Sequence, residues 1–157
     1  MMTNLKNLLS DLERQGKLKK QNTRVDFLNA LLYSAHRNLK AASANINSFE
    51  EVAFKAAYDG LLQISRVVLL LNGYRPDDGE QHKTTFIVAG AILGDRFVTL
   101  INRINIYRVK RNNCVYDPKG LITKTETENI IKTSKEYWGL VRIYLKNKDP
   151  QLELFDF

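Results

Sequence analysis

Between Tyr107 and Asp117 the chain reads Tyr-Arg-Val-Lys-Arg-Asn-Asn-Cys-Val-Tyr-Asp, setting three cations and an asparagine-aromatic pair at the end of an otherwise apolar helical pattern. On a helix Arg108, Arg111 and Asn112 stand three and four residues apart and project from one side, with Ile104 anchoring that side one turn earlier. Tyr116 lies four residues beyond Asn112, so a helix that persists, or tightens in its last turn, carries its hydroxyl toward the Asn112 amide. Guanidinium groups are permanently charged forks that match phosphate oxygens, which makes this cluster a candidate phosphate site. Metal-free RNA cleavage needs a cation for the charge building on phosphorus, a role that suits Arg111, and a proton carrier near neutrality. Arg111, Asn112 and Tyr116 are therefore the candidate catalytic set. A free phenol has a pKa of about 10, so Tyr116 suits proton donation or phosphate binding better than the work of a general base.

The charge is uneven. Arg96, Arg103, Arg108, Lys110 and Arg111 follow one another with no acid between them, within a chain of formal charge +7. Clustered cations gain free energy by displacing counterions from phosphates, so Arg103, Arg108, Lys110 and Arg111 are the candidate nucleic-acid contacts.

The elements that must position these residues read as helices. A chain of 157 residues, 44% hydrophobic and 26% charged, suits one domain with a single core. Three prolines, eight glycines and no long alternating apolar run favour an all-α bundle of about five helices over residues 1–149, followed by a short tail at 150–157. The spacing predicts helices over Asn4 to Gln15, stopping at Gly16 before a basic turn, and over Val25 to Ala44, with an apolar stripe at Leu28, Leu31, Leu32, Ala35, Leu39 and Ala42. Ser48-x-x-Glu51 has the form of a capping box that opens a third helix at Phe49, running to a stop at Gly73. Its run Val67 to Leu71 is apolar nearly all round, so it is either the central helix or a subunit surface. A fourth helical region, Gln81 to Asn113, can kink or divide at Gly90 or Gly94. Asp117-Pro118-Lys119-Gly120 breaks the chain, Thr125-x-x-Glu128 caps a last helix, and Asp149-Pro150 ends it.

Cys114 is the lone cysteine, which excludes an intramolecular disulfide, and with two histidines the chain offers little for zinc. No metal and no cofactor is expected. With no signal-peptide pattern and no apolar run of membrane-spanning length, the chain reads as cytoplasmic. His36 reads as a solvated helix residue.

The phrase Arg111-Asn112-x-x-x-Tyr116 resembles the signature of HEPN domains, in which an Arg, an adjacent polar residue and a His a few positions on form an RNA-cleaving or RNA-binding site; Tyr116 stands where the His is expected. Ala57-Tyr58-Asp59, Asn72-Gly73-Tyr74-Arg75-Pro76, His82 and Arg108-x-x-Arg111 follow in the order and rough spacing of small prokaryotic HEPN proteins, and Leu9 to Lys20 looks like their leader helix. The resemblance covers roughly residues 5 to 146. It implies a HEPN-like bundle that pairs about a two-fold axis, for which Val67 to Leu71 offers surface, and RNA as partner in a toxin-antitoxin or defence system. It implies that Asp59 holds the motif arginine, the alternative being a surface carboxylate, and that His82 packs or orients the site, the alternative being a loop hydrogen bond. It also implies a nucleotidyltransferase partner that adds AMP to a tyrosine, with Tyr116 the acceptor.

Three readings of the segment stand: an RNA-binding HEPN homologue with weak or no nuclease activity, an active metal-independent RNase, and a structural hydrogen-bond network at a helix end. A further reading, from another class, is an adaptor without chemistry of its own. Gln151-Leu152-Glu153-Leu154-Phe155 resembles the short peptide by which many bacterial repair and replication proteins dock on the sliding clamp, so Gln151, Leu152, Leu154 and Phe155 are candidate partner contacts. The alternative is a tail packed on its own bundle.

Overall fold

The computed structural model describes residues 2–116 and 122–157, and their side chains over 4–114 and 122–157. The order is α1 (Met2–Arg14), β1 (Leu18–Lys20), α2 (Val25–Asn45), α3 (Glu50–Leu71), β2 (Tyr74–Pro76), α4 (Gln81–Leu93), a 3-10 turn at Asp95–Phe97, α5 (Val98–Tyr116) and α6 (Lys124–Lys148). The fold is an all-α helical bundle with one small antiparallel ribbon.

Helix α3 is the axis, packed against α2, α4, α5 and α6. Its Val67, Val68 and Leu69 are wholly buried and Leu70 is 5% exposed, because helices cover it on opposite sides. Four of the five residues of the apolar run are therefore spent on the protomer's own core, the first of the two alternatives, and Leu71 is half-buried. The α2 stripe meets it as expected, with Leu28, Leu32, Ala35, Leu39 and Ala42 buried and Leu31 half-buried. Gly60 of α3 makes that contact close: a Cβ there would stand 2.8 Å from Leu39 Cδ2.

Two expected caps sit elsewhere. The turn after α2 continues through Ser48, since the amides of Ser48 and Phe49 both donate to Asn45 O, so Phe49 rather than Ser48 is the α3 N-cap and no side chain caps it. The last helix starts two residues early, because Thr123-x-x-Glu126 repeats the Thr-x-x-Glu pattern of Thr125-x-x-Glu128. Glu126 N donates to Thr123 Oγ1 at 3.1 Å and Thr123 N to Glu126 Oε2 at 2.8 Å, a closed capping box. The long fourth region divides at Gly94, whose φ of +99° suits a residue without a Cβ, which raises the helices to six among the described residues.

The basic turn after α1 is in fact a strand. Leu18, Lys19 and Lys20 pair with Pro76, Arg75 and Tyr74, and Asp77 N donates to Lys17 O at 2.8 Å. Three residues are too few to show a period of two, so the ribbon is invisible in the sequence pattern. Its consequence is positional: it ties down the segment entering α4, where His82 lies one residue inside the helix. Among the described residues no helix is long and apolar enough to cross a membrane.

Candidate functional site

The loop before α4, the first turn of α4 and the α5 face opposite it line a surface cavity of about 480 Å³, with Asp78, Glu80, His82, Arg108, Arg111 and Asn112 among its walls. The α5 spacing performs as expected here: Arg108, Arg111 and Asn112 project together while Ile104 is wholly buried beneath them. Arg108 Nε donates to Asn105 Oδ1 at 2.9 Å, which steadies it on its own helix. Arg111 lies over the Tyr58 ring, its Cζ 5.6 Å from the centroid, and its buried Nε has no hydrogen-bond partner among the described residues. A buried guanidinium N–H without an acceptor is a group prepared for one.

Tyr58, one turn beyond Phe54 on the apolar face of α3, is the site residue that the sequence pattern passes over in favour of its neighbour Asp59. It is wholly buried, and its hydroxyl lies 3.1 Å from His82 Nδ1. Burial pushes the Tyr58 phenol up to about 12, against the opposing pull of Arg111 and Arg108, so it stays neutral. The signal is present in Ala57-Tyr58-Asp59, but pattern alone reads a Tyr on an apolar stripe as core.

Burial also raises the Asp59 carboxyl above its usual value, opposed first by Arg111 and then by His82 and Lys55. Asp59 therefore feels the motif arginine electrostatically, yet they form no ion pair among the described residues; the Tyr58 ring is what underlies Arg111. His82 is held below its usual value by burial first and by Arg111 second, with Asp59 pulling the other way. It belongs to the cavity as well as to the α4 entry. There Asp78 accepts from Glu80 N at 3.2 Å and from Thr84 Oγ1 at 2.7 Å, which shapes the first turn.

Arg103 and Lys110 do not join the cavity. They face α6, Arg103 paired with Glu136 at 3.2 Å and Lys110 with Glu126 at 3.2 Å. Arg96 lies over the Phe97 ring, and the four cations of α5 are split by the helix period, two toward a cavity and two toward acids on a neighbour. Helix α5 extends through Tyr116, one turn past Asn112; the Tyr116 side chain and Asp117 to Gly120 lie outside the described residues. Among the described residues no group of three His, Cys, Asp or Glu is arranged to hold a metal.

The tail lies on α2 and α6. Phe155 is stacked between Trp138, with ring centroids 4.1 Å apart, and His36, at 4.5 Å. Trp138 Nε1 donates to Phe155 O at 2.9 Å, Glu153 N donates to Asn29 Oδ1 at 2.8 Å, and Leu152 is 7% exposed. The packing alternative thus describes Gln151 to Phe155, and a clamp would have to lift Leu152 and Phe155 out of contacts already made. His36 is correspondingly a packing residue rather than a solvated one.

No protein-family model, curated protein or solved structure matches this chain.

Proposed function

We propose that this chain is a HEPN-like RNA-binding protein whose cavity between the start of α4 and α5 receives a phosphate group through Arg111, Arg108 and Asn112. The observation that carries the reading is Arg111, a guanidinium resting on an aromatic ring at a cavity wall, with a buried N–H that no described residue accepts. The formal charge of +7 favours a polyanion, and the likeness of the scattered segments to HEPN proteins favours RNA among polyanions. Pairing of two copies and a toxin-antitoxin or defence setting belong to the same proposal and rest on that likeness alone.

Single-stranded RNA is expected to bind with marked salt dependence. Arg111→Ala should weaken it about tenfold or more, the usual worth of a charge-assisted hydrogen bond, and reduce the slope of log affinity against log salt by about 0.7, the share of a single phosphate. Arg103→Ala and Lys110→Ala, whose side chains face α6, should change binding much less. Fluorescence anisotropy across a salt series separates the cases; equal losses at all three positions would mean a diffuse basic surface and no pocket.

One observation favours a second reading, a metal-independent endoribonuclease: His82 shares the cavity with Arg111 and places there an imidazole, a side chain able to give and take protons. Cleavage persisting in excess chelator and abolished by both Arg111→Ala and His82→Gln would establish it.

A further inference from the structure

His82 and Arg111 stand 29 positions apart in sequence, yet one side chain fixes both, since the Tyr58 hydroxyl meets His82 Nδ1 at 3.1 Å while the face of the same ring lies under the Arg111 guanidinium. With Nδ1 engaged, Nε2 is the imidazole nitrogen left for a ligand in the cavity that His82 lines. Among the described residues the charged and titratable groups around the ring are Tyr58, Asp59 and Arg66 from α3, Arg108 and Arg111 from α5, Asp78 and Glu80 from the preceding loop, and Lys83 on its own helix. Asp78 already accepts from Thr84 Oγ1 and Glu80 N, and Glu80 lies 3.6 Å from Lys83 Nζ. Burial first, and then three arginines acting against Asp59, disfavour the protonated imidazole. An arriving dianion reverses that balance, because it cancels the guanidinium field and offers an acceptor to a protonated ring.

We propose that His82 is an anion ligand of this cavity, and that a phosphate- or sulfate-sized dianion bound there takes up one proton onto the His82 ring. The inference rests on the phosphate reading of the same cavity and adds its regulation: oxyanion affinity is greatest in mild acid and declines as pH rises through the titration midpoint of the occupied site.

Sulfate is the probe, since it does not itself titrate across the range. The chain has two histidines, so the imidazole Cε1–H proton resonances are two signals, and His36→Gln assigns them. Saturating sulfate should move the His82 midpoint upward in the otherwise unaltered protein, and calorimetric affinity should weaken between pH 5.5 and 8.5 by about tenfold for each unit of that movement. His82→Gln should flatten the pH profile and keep binding that Arg111→Ala removes. Sulfate binding that depends on Arg111 with an unmoved His82 midpoint overturns this inference and leaves the phosphate reading intact. Absence of sulfate binding at every pH overturns both.

Discussion

Among the described residues Arg111 occupies an intermediate condition, half-buried on an aromatic face and in no ion pair. A guanidinium on an aromatic face keeps its charge and gives up part of its hydration, which strengthens any contact made to an oxyanion. The same wall makes His82 a stability sensor in the ligand-free protein. Its folded value is depressed, so the unfolded chain binds the proton more readily. His82 thus contributes stability above the ordinary histidine value, and that contribution is lost as pH falls through the lowered one. Thermal midpoints of the unaltered protein and of His82→Gln, measured without sulfate or phosphate from pH 7.5 down to 5, are expected to converge on acidification, the unaltered protein losing more. Parallel curves would mean that His82 titrates as freely as in a peptide.

At the scale of elements, the start of α6 turns on two overlapping Thr-x-x-Glu patterns, of which one closes. Thr123→Ala removes the acceptor of the Glu126 amide and should destabilise by about 1 kcal/mol in urea denaturation. Thr125→Ala lies in an exposed first turn and should stay within about 0.5 kcal/mol of the parent. The cap also orients Glu126 toward Lys110 of α5, so the helix that bears the cavity's cations is held at its far side by the helix that follows it. The ribbon does the same for α4, by pinning the segment that delivers His82.

At the scale of the molecule, the tail closes the α2–α6 face. Trp138 is the one tryptophan and stacks on Phe155, so its emission reports tail docking. Phe155→Ala should shift that emission to the red and destabilise by about 2 kcal/mol, the order expected for removing a partly buried aromatic ring stacked on both faces. Deleting residues 150–157 should do the same and leave Arg111-dependent RNA binding unchanged, because the tail contacts α2 and α6 and the cavity is lined by the start of α4, the loop before it and α5. Unchanged emission after either alteration would show a tail free in solution and restore the docking-peptide alternative.

Periodicity by itself determined the helical class, the apolar stripe of α2 and the grouping of Arg108, Arg111 and Asn112, because each depends on neighbours three or four residues apart; it left the α3 run open between core and subunit surface, and the break in the fourth region open between Gly90 and Gly94. Tertiary structure decided the rest. Which cations face the cavity and which face Glu126 and Glu136 depends on where α6 lies, and that is not encoded within α5. Which of two equivalent capping patterns closes depends on what meets the helix start. That Tyr58 joins a histidine 24 residues later to an arginine 53 residues later depends on three helices meeting at one point, a contact that no local spacing expresses.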